Sequence, residues 1–296
     1  MNIAGVSLSN PDRVLYQDTG ITKQALAAYY EAIAPVMLPH TAGRPLSLVR
    51  CPEGQHKGCF YQKHWTGKLP PQVKSVNIRE SGGDVEPYTM IRDAGGLVAL
   101  VQHGVLEIHV WGARADDVDK PDRLVFDLDP GPDVPWRRVI EAARELKERL
   151  ESLDLESWLK TSGGKGLHLV VPFVRRYTWE QVAGFTRAVA YGMAAESPER
   201  YLAKASKAAR QGKIFVDWVR NTRGATTVAP WSTRARAGAP ISEPLGWDAL
   251  VRLKSGDQFT FGGVDKLVRG GWKDPWVDLP KSRQRLDLSV LKQAPR

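Results

Sequence analysis

The amino-acid sequence predicts an α+β fold. Strand-like runs and amphipathic helical segments follow one another along 296 residues without regular strand–helix–strand alternation, which argues against a parallel α/β sheet. No Gly/Ser linker separates independent domains, and no internal repeat is present. A chain of this length allows one large domain or two small lobes around substantial cores. We therefore expect a single domain over residues 1–296.

A first helix is predicted from residue 23 onward. Thr22 is its expected N-cap, and Pro39 and Gly43 are expected to stop it. Its apolar face has helical spacing and consists of Leu26, Tyr29, Ile33 and Met37. The next segments, 44–51, 97–102 and 105–111, read as strands. The intervening stretch is rich in Gly, Pro and polar residues, and includes a predicted exposed loop at Ser81-Gly82-Gly83-Asp84.

Two further helices are predicted in the second half of the chain. The segment from Pro135 to Leu150 carries apolar residues on one side. Thr178 and Gln181 have the spacing of a capping box, in which each side chain accepts a backbone N–H at the start of a helix.

The most informative strand is the run Leu124-Val125-Phe126-Asp127-Leu128-Asp129-Pro130. Residues two apart in a strand share a face, so Asp127 and Asp129 are expected to point together into a cleft, away from a core. Two neighbouring carboxylates repel each other, and a divalent cation with a preference for oxygen ligands relieves this repulsion. Two solvated acids at a strand end are the alternative.

A third aspartate lies in the strand-like run from Lys213 to Arg220. Burying Asp217 there requires a compensating cation, either a metal or Arg220. Three carboxylates from two strands match a two-metal site, in which the ions hold the attacking and leaving oxygens of a phosphoryl transfer.

A glycine-rich loop separates these strands, with the sequence Thr161-Ser162-Gly163-Gly164-Lys165-Gly166. Its glycines permit close approach of backbone N–H groups to a ligand, Lys165 adds positive charge and Ser162 adds a donor, which suits a polyphosphate. The spacing differs from a Walker A loop, and a surface hairpin remains an alternative. A strand over 167–171 follows, and His168 lies at its start, where a site residue is favoured over a structural histidine.

Together these segments resemble the three motifs of the archaeo-eukaryotic primase superfamily, and most closely the polymerase domain of bacterial DNA ligase D. The resemblance covers about residues 5 to 285 and extends to segments 10–16, 40–45, 106–110 and 226–236. It implies a two-lobed primase-polymerase fold with mostly antiparallel or mixed sheets, flanking helices and an active site in the central cleft.

The resemblance also implies a function. It is template-dependent extension of 3′ ends and gap filling during double-strand break repair by non-homologous end joining, with a preference for ribonucleotides. Asp127, Asp129 and Asp217 would hold two ions, Mn²⁺ rather than Mg²⁺, and act as the catalytic residues. Replacing Asp127 or Asp129 by alanine is expected to abolish extension with little loss of stability, because it relieves repulsion.

Further residues are assigned to ligands in the same way. The triphosphate of an NTP or dNTP would be held by Ser162, Lys165, His168, Arg220, Arg234, Arg236 and His109. The two arginines near residue 235 could contact the nucleotide or the template, or belong to a solvated basic loop. Phe60 or Tyr61 could stack on a templating base or belong to the core. Arg13 and Lys23 are the expected ligands of a 5′-phosphate on gapped DNA, helped by the N–H groups of the first helix.

The net charge of +9 favours a polyanionic partner such as DNA. No apolar run is long enough to span a membrane, and no signal peptide is evident. Two cysteines give no disulfide framework and fit a reducing cytoplasm, here in association with the bacterial nucleoid. Zinc bound by Cys51, His56, Cys59 and His64 is an alternative, although the spacing is unusual.

Two other function classes remain open, a metal-dependent nuclease and a non-catalytic module that binds DNA ends. Nucleotide binding separates the first from a polymerase, and primer extension separates the second. No Lys-x-Asp-Gly motif occurs, so ligase and nuclease domains of the same polypeptide, and the protein Ku, are expected partners. The sequence does not decide between priming and extension, between a whole protein and an excised domain, or between oligomeric states, and it does not reveal which residue recognises the ribose 2′-hydroxyl.

Overall fold

The computed structural model describes residues 1–206, 208–262 and 274–292. The chain divides into two compact units. Unit 1 consists of Met1–Val118, Val228–Ser242 and Phe259–Asp274, and unit 2 of Asp119–Thr227, Glu243–Gln258 and Pro275–Arg296. A single domain over 1–296 extends beyond the described residues and stays a prediction, as does the central cleft. None of the described helices is long and apolar enough to cross a membrane.

Helices and sheets both contribute, so the α+β prediction is confirmed. The described α-helices are α1 Lys23–Thr41, α2 Ala94–Gln102, α3 Trp136–Glu151 and α4 Trp179–Glu196. The described strands of the first half are β1 Asn2–Ile3, β2 Val6–Ser7, β3 Val14–Tyr16, β4 Ile21–Thr22, β5 Leu46–Arg50, β6 Phe60–Gln62, β7 Lys74–Arg79, β8 Val85–Met90 and β9 Val105–Trp111. Those of the second half are β10 Ala113–Arg114, β11 Asp117–Pro121, β12 Arg123–Pro130, β13 Trp158–Thr161, β14 Leu167–Pro172, β15 Tyr201–Leu202, β16 Ile214–Asp217, β17 Thr226–Val228 and β18 Pro244–Leu245.

Unit 1 is built on a sheet with the strand order β17-β9-β5-β8-β7, and β6 pairs with β5. Helix α1 packs on α2, and α2 on β9. In the antiparallel register, Tyr61 lies opposite Val49, which in turn lies opposite Glu107. Directly opposite residues share a face of the sheet, so Tyr61 and Glu107 point to the same side.

Unit 2 contains a six-stranded sheet in the order β15-β16-β12-β14-β13-β18. Its pairs are antiparallel except β15 with β16. Helix α3 packs against β12 and β14, and α4 packs against β12 and β15. Leu124, Phe126 and Leu128 of β12 are fully buried, whereas Asp127 and Asp129 are partly exposed. The predicted alternation of core and site residues along this strand is therefore confirmed.

The strand predicted at 97–102 is wrong, because these residues form α2. Asp93 caps this helix by accepting the Gly96 N–H at 2.9 Å. Every residue from Gly95 to Val101 is buried. A short apolar run that is buried all round has no periodicity that would distinguish a helix from a strand.

Other boundaries differ in smaller ways. Helix α1 has Thr22 as its N-cap, as predicted, but runs through Pro35 and Pro39 to Thr41. The segment read as loop around residues 51–95 contains the β7–β8 hairpin, in which residues 81–84 form the exposed turn. Strand β16 ends at Asp217 rather than at Arg220, since the Asp217 carboxylate accepts the Val219 N–H at 2.9 Å and turns the chain into a 3₁₀ segment.

The two later helices are confirmed, and so is the predicted cap of α4. Helix α3 begins directly after Pro135. Thr178 and Gln181 form both hydrogen bonds of the capping box of α4.

The two cysteines are joined to each other, which corrects the expectation of free thiols. A disulfide links Cys51 to Cys59, and it engages both sulfurs that a zinc site would need. His64 lies instead beside Glu80, at 3.9 Å, and against the ring of Tyr88. The zinc alternative therefore has no support in the described residues.

The β13–β14 turn leaves no space for a side chain at Gly166. A Cβ atom there would lie 2.1 Å from the carbonyl oxygen of Leu128 on β12. We expect Gly166→Ala to cost about 1–3 kcal/mol of unfolding free energy, because the turn must move away from β12. Gly82→Ala is the matched control, since its Cβ meets nothing within 4 Å. Urea denaturation that shows equal stability for both variants would contradict the close packing of this turn.

Candidate functional site

Four ionisable side chains form one row across unit 2. Asp127 on β12 is the register partner of Asp217 on β16 and of His168 on β14, and His168 is the partner of Lys160 on β13. Because opposite residues of antiparallel strands share a face, all four point to the same side. We call Asp217, Asp127, His168 and Lys160 the charged row. The sequence analysis identified the first three members and missed Lys160.

Two arginines neutralise the carboxylates of this region. The Arg220 Nε lies 3.1 Å from the Asp217 carboxylate and 3.6 Å from that of Asp127. Arg210 forms an ion pair with Asp129 and stacks over the Phe215 ring at 4.4 Å. Arg220 was predicted to bind the triphosphate, and here it contacts the predicted metal ligands. Arg210 lies in a loop without a motif, and no sequence signal pointed to it.

The charged row determines the protonation of Asp127 and His168. Burial by itself raises the pKa of Asp127, but His168, Arg220 and Lys160 outweigh this effect and lower the pKa to about 2. Burial and the charge of Lys160 lower the pKa of His168 to about 4, so the imidazole is neutral at pH 7. Its Nε2 lies 3.4 Å from the Asp127 carboxylate, and its buried Nδ1 has no hydrogen-bond partner among the described residues.

The other two carboxylates behave differently. Burial, more than any other cause, raises the pKa of Asp129, and the negative charge of Asp127 raises it further. Burial also raises the pKa of Asp217, although Arg220 acts in the opposite direction. An added cation would therefore stabilise both carboxylates.

The glycine loop is organised by Ser162. Its hydroxyl oxygen accepts the N–H groups of Gly164 and Gly166 at 3.2 and 3.1 Å. Gly163 has a φ of 62°, which an L-residue rarely adopts. Lys165 is exposed and lines a cavity of about 320 Å³ together with Trp136 and Lys254. The loop is thus a fixed turn that presents a lysine to solvent, as expected for a polyphosphate site.

Unit 1 holds the remaining predicted cations around one buried carboxylate. Glu107 on β9 lies 2.8 Å from the Nε2 of His109 and 3.1 Å from the Nε of Arg234. It also accepts the Ala235 N–H at 2.8 Å. Arg236, two residues beyond Arg234, is exposed. We call Glu107, His109 and Arg234 the Glu107 cluster; the sequence analysis identified the two cations but not the carboxylate between them.

The loop that carries Arg234 is held by hydroxyl groups. Tyr29 donates to the Trp231 carbonyl at 2.6 Å, and Tyr16 to the Arg234 carbonyl at 3.0 Å. The Thr233 hydroxyl donates to the Leu106 carbonyl at 2.6 Å. The backbone of this loop is therefore fixed independently of its charged side chains.

Two exposed aromatic residues lie on β6, and one of them, Tyr61, contacts the Glu107 cluster. Phe60 and Tyr61 on β6 are 48% and 51% exposed, which excludes a place in the core. The Tyr61 ring meets the His109 ring edge-on, with centroids 5.9 Å apart. The Arg50 guanidinium stacks over the Phe60 ring at 5.6 Å. These rings are available to stack on a ligand.

Arg13 and Lys23 also lie close together in unit 1, but both side chains already donate hydrogen bonds to backbone carbonyls. Arg13 donates to the Pro52 carbonyl at 3.0 Å, and the Lys23 ammonium donates to the Ser9 carbonyl at 2.8 Å. Lys23 is only 5% exposed. Burial, and secondarily the charge of Arg13, lower the pKa of Lys23.

The predicted role of the α1 N–H groups is wrong. The first three of them donate to the Arg13 carbonyl at 2.8 Å, the Pro11 carbonyl at 2.9 Å and the Thr22 hydroxyl at 3.2 Å. They are therefore engaged within the protein, and only the two cationic side chains remain as candidates for binding a phosphate.

The three carboxylates have the chemistry of a metal site. Their donors are oxygens, as Mg²⁺ and Mn²⁺ prefer. Within the described ranges, however, no group of three or more His, Cys, Asp or Glu side chains is gathered closely enough to hold an ion, and Arg220 and Arg210 form ion pairs with the three carboxylates. The ligand chemistry fits, and Asp127, Asp129 and Asp217 are the residues that would hold such an ion.

Comparison with known proteins identifies the family. The model of the family described as LigD, primase-polymerase domain, matches residues 22–276. The chain belongs to this family. The resemblance drawn from the sequence motifs is therefore confirmed.

Relatives and solved structures agree with this assignment. A multifunctional non-homologous end joining protein LigD from Pseudomonas aeruginosa is 39% identical over 294 residues, which is 99% of this chain and 35% of that protein. The protein of the same name from Mycolicibacterium smegmatis is 38% identical over 248 residues, or 83% of this chain and 32% of that protein. The chain thus spans about a third of the length of these relatives.

A solved structure of the polymerase domain from Mycobacterium tuberculosis ligase D in complex with DNA matches with a TM-score of 0.86 and 32% identity. The match covers 94% of this chain and 99% of that one. It confirms the predicted α+β primase-polymerase fold.

The charged row makes a stability prediction that differs from the sequence-based one. Asp127→Asn should lower the unfolding free energy at pH 7, because Arg220 and Lys160 favour the ionised carboxylate and help to hold its folded pKa below the ordinary value. The stabilisation is present above the unfolded pKa and is lost as the pH falls towards 2. Asp217→Asn should leave the unfolding free energy unchanged or raise it, because the raised pKa of Asp217 shows that its charge is unfavourable in the folded protein.

Urea denaturation of both variants at pH 7 and pH 3 measures this difference. The deficit of Asp127→Asn should shrink at pH 3. Equal stability of the two variants at pH 7 would show that Lys160 and Arg220 do not depend on Asp127.

Proposed function

We propose that this chain is a nucleotidyltransferase that extends the 3′ end of DNA on a template and fills gaps at broken ends during non-homologous end joining. The observation that carries the proposal is the charged row with Asp129 beside it and the glycine-lysine loop on the neighbouring strands. Carboxylates for cations and a loop for polyphosphate are the two parts that phosphoryl transfer requires.

Asp127, Asp129 and Asp217 would hold the metal ions, which we propose to be two in number and Mn²⁺ in preference to Mg²⁺. Bound there, the ions would activate the 3′ oxygen and stabilise the charge that develops during transfer. The raised pKa values of Asp129 and Asp217 support this proposal, because these carboxylates gain most from an added cation.

The residues of unit 2 have distinct tasks under this proposal. Ser162 shapes the glycine loop, and Lys165 supplies a charge to the triphosphate. The neutral imidazole of His168 offers its unpartnered Nδ1 to the ligand. Arg220, once released from the carboxylates, contacts phosphate oxygens, to which a guanidinium binds strongly.

The residues of unit 1 are proposed to contact phosphates and bases. His109, Arg234 and Arg236 would meet phosphates of a nucleotide or of a template strand. Phe60 and Tyr61 would stack on a templating base, which their exposure permits. These contacts and the net charge of +9 support a nucleic-acid partner.

A polymerase is favoured over the two alternatives. A nuclease would have no use for the ordered glycine-lysine loop, and an end-binding module would leave the charged row unexplained. The ligase and nuclease activities of a multifunctional LigD, and a partnership with Ku, would lie outside this chain. A preference for ribonucleotides belongs to the same proposal.

The decisive experiment is extension of a gapped DNA. Asp129→Ala and Asp217→Ala should each reduce the rate by at least about a hundredfold, because each removes a ligand for charge stabilisation. Asp248→Ala is the matched control, because Asp248 is an exposed aspartate that forms an ion pair with Arg252 at 3.3 Å. Thermal melting confirms that each variant folds.

Each arm of this assay has an outcome that counts against the proposal. Undiminished extension by either site variant would remove the metal assignment. Equal kcat/KM for ribonucleotides and deoxyribonucleotides would contradict the sugar preference, and activity in Mg²⁺ that Mn²⁺ does not increase would contradict the choice of metal. Cleavage of the DNA without extension would favour the nuclease.

A 5′-phosphate on the gap should strengthen DNA binding several-fold through Arg13 and Lys23, since a terminal phosphate carries more charge than a diester. Lys23→Met should remove most of this difference while it preserves the buried stem of the side chain. Lys74→Ala, an exposed lysine on β7, should retain it. Fluorescence anisotropy with 5′-phosphate and 5′-hydroxyl DNA measures both effects, and equal binding of the two DNAs by the wild type would exclude the pocket.

A further inference from the structure

The Glu107 cluster contains a buried carboxylate that the proposed reaction does not use. Glu107 is 6% exposed and lies in the middle of β9. One of its oxygens faces His109 at 2.8 Å and Arg234 at 3.1 Å, and the other accepts the Ala235 N–H at 2.8 Å. A carboxylate in such a place is expensive unless its partners compensate its charge.

The partners of Glu107 outweigh the energetic cost of burying its charge. Burial by itself raises its pKa, but the hydrogen bond from His109, the charge of Arg234 and the Ala235 N–H lower the pKa to about 2. Glu107 is therefore ionised at pH 7. Its negative charge attracts the Arg234 guanidinium, which lies 3.1 Å away, as a neutral side chain would not.

The contacts of Glu107 concern the orientation of side chains more than the path of the loop backbone. The loop after Trp231 is already fixed by Tyr29, Tyr16 and Thr233 through backbone carbonyls. Glu107 adds one backbone contact to this set, and its other two contacts are to the ends of side chains. The carboxylate therefore acts on where the imidazole and the guanidinium point more than on where the loop runs.

We propose that Glu107 is a positioning residue that orients His109 and Arg234 for contact with a phosphate group of a bound nucleotide or nucleic-acid strand. This inference rests on the proposed function for the phosphate that is bound. Each of these two side chains loses little conformational freedom when the phosphate arrives, because Glu107 has already restricted it. The Tyr61 ring, edge-on to His109, extends the ordered surface towards the exposed aromatic residues.

The test compares Glu107→Ala and Glu107→Gln with Glu86→Gln, a control on the neighbouring hairpin strand β8. Extension of a gapped DNA gives KM and kcat for the nucleotide. Binding of inorganic tripolyphosphate and of gapped DNA, measured separately, distinguishes the two sources of phosphate. Glu107→Ala can orient neither His109 nor Arg234. It should weaken binding of one of these two ligands about tenfold. Glu107→Gln should fall between it and the wild type, and kcat should change less than KM.

A double-mutant cycle decides whether Glu107 acts through Arg234. If it does, Glu107→Ala should add almost nothing to the loss caused by Arg234→Ala, because the residue that it orients is already gone. Additive losses would overturn the proposal. If Glu107→Ala does not fold, Glu107→Gln takes its place in the cycle.

The ¹⁵N spectrum of the His109 ring gives a readout that does not depend on catalysis. The wild type should show a hydrogen-bonded Nε2–H, and Glu107→Ala should lose this signal while Glu86→Gln retains it. An unchanged His109 spectrum in Glu107→Ala overturns the positioning role. A changed spectrum with no binding of tripolyphosphate, nucleotide or DNA by the wild type would instead overturn the proposed function and leave the orientation of His109 by Glu107 established.

Discussion

Charge compensation within a sheet is the constraint on which unit 2 depends. Asp127 is enclosed by apolar neighbours on its own strand, and an ionised carboxylate there needs cations or donors within reach. The antiparallel register provides His168 on one side, and Lys160 lies one strand further, only 1% exposed. A buried lysine is as costly as a buried aspartate when either is alone. Lys160 favours the ionised form of Asp127, together with His168 and Arg220.

In both units, an arginine compensates the charge of a carboxylate within a sheet. In each, a carboxylate on a central strand meets an arginine from a segment that follows later in the chain: Asp127 meets Arg220, and Glu107 meets Arg234. The arginine segments are held by other means, a hydrogen bond to the Asp217 carboxylate in one case and tyrosine hydroxyls in the other. Rigid segments with charged tips are suited to bind anions at small entropic cost. The two units differ in what the carboxylate does, since only that of unit 2 is proposed to change partners.

The sequence was sufficient to predict features that depend on residues close together along the chain. The alternation around Asp127, the glycine loop, the Thr22 and Thr178 caps and the family itself all followed from local patterns. It was insufficient where chemistry depends on strands that are distant in sequence. Lys160 and Glu107 are ordinary members of strand patterns, and only the register shows that one faces His168 and the other faces Arg234. Helix α2 was missed for another reason, because a segment buried on all sides carries no amphipathic signal.

The register of the charged row also limits how the chain can change in length. Side chains alternate with a period of two, so an insertion or deletion of one residue within β12, β13, β14 or β16 would turn one member of the row to the opposite face. The connections between these strands carry no such restriction, because added residues there leave the pairing intact. Homologous chains should therefore differ in length between β14 and β16, where α4 and the loop with Arg210 lie, and hardly at all inside the four strands. The positions of gaps in an alignment should thus reflect the register of the strands that carry the charged row.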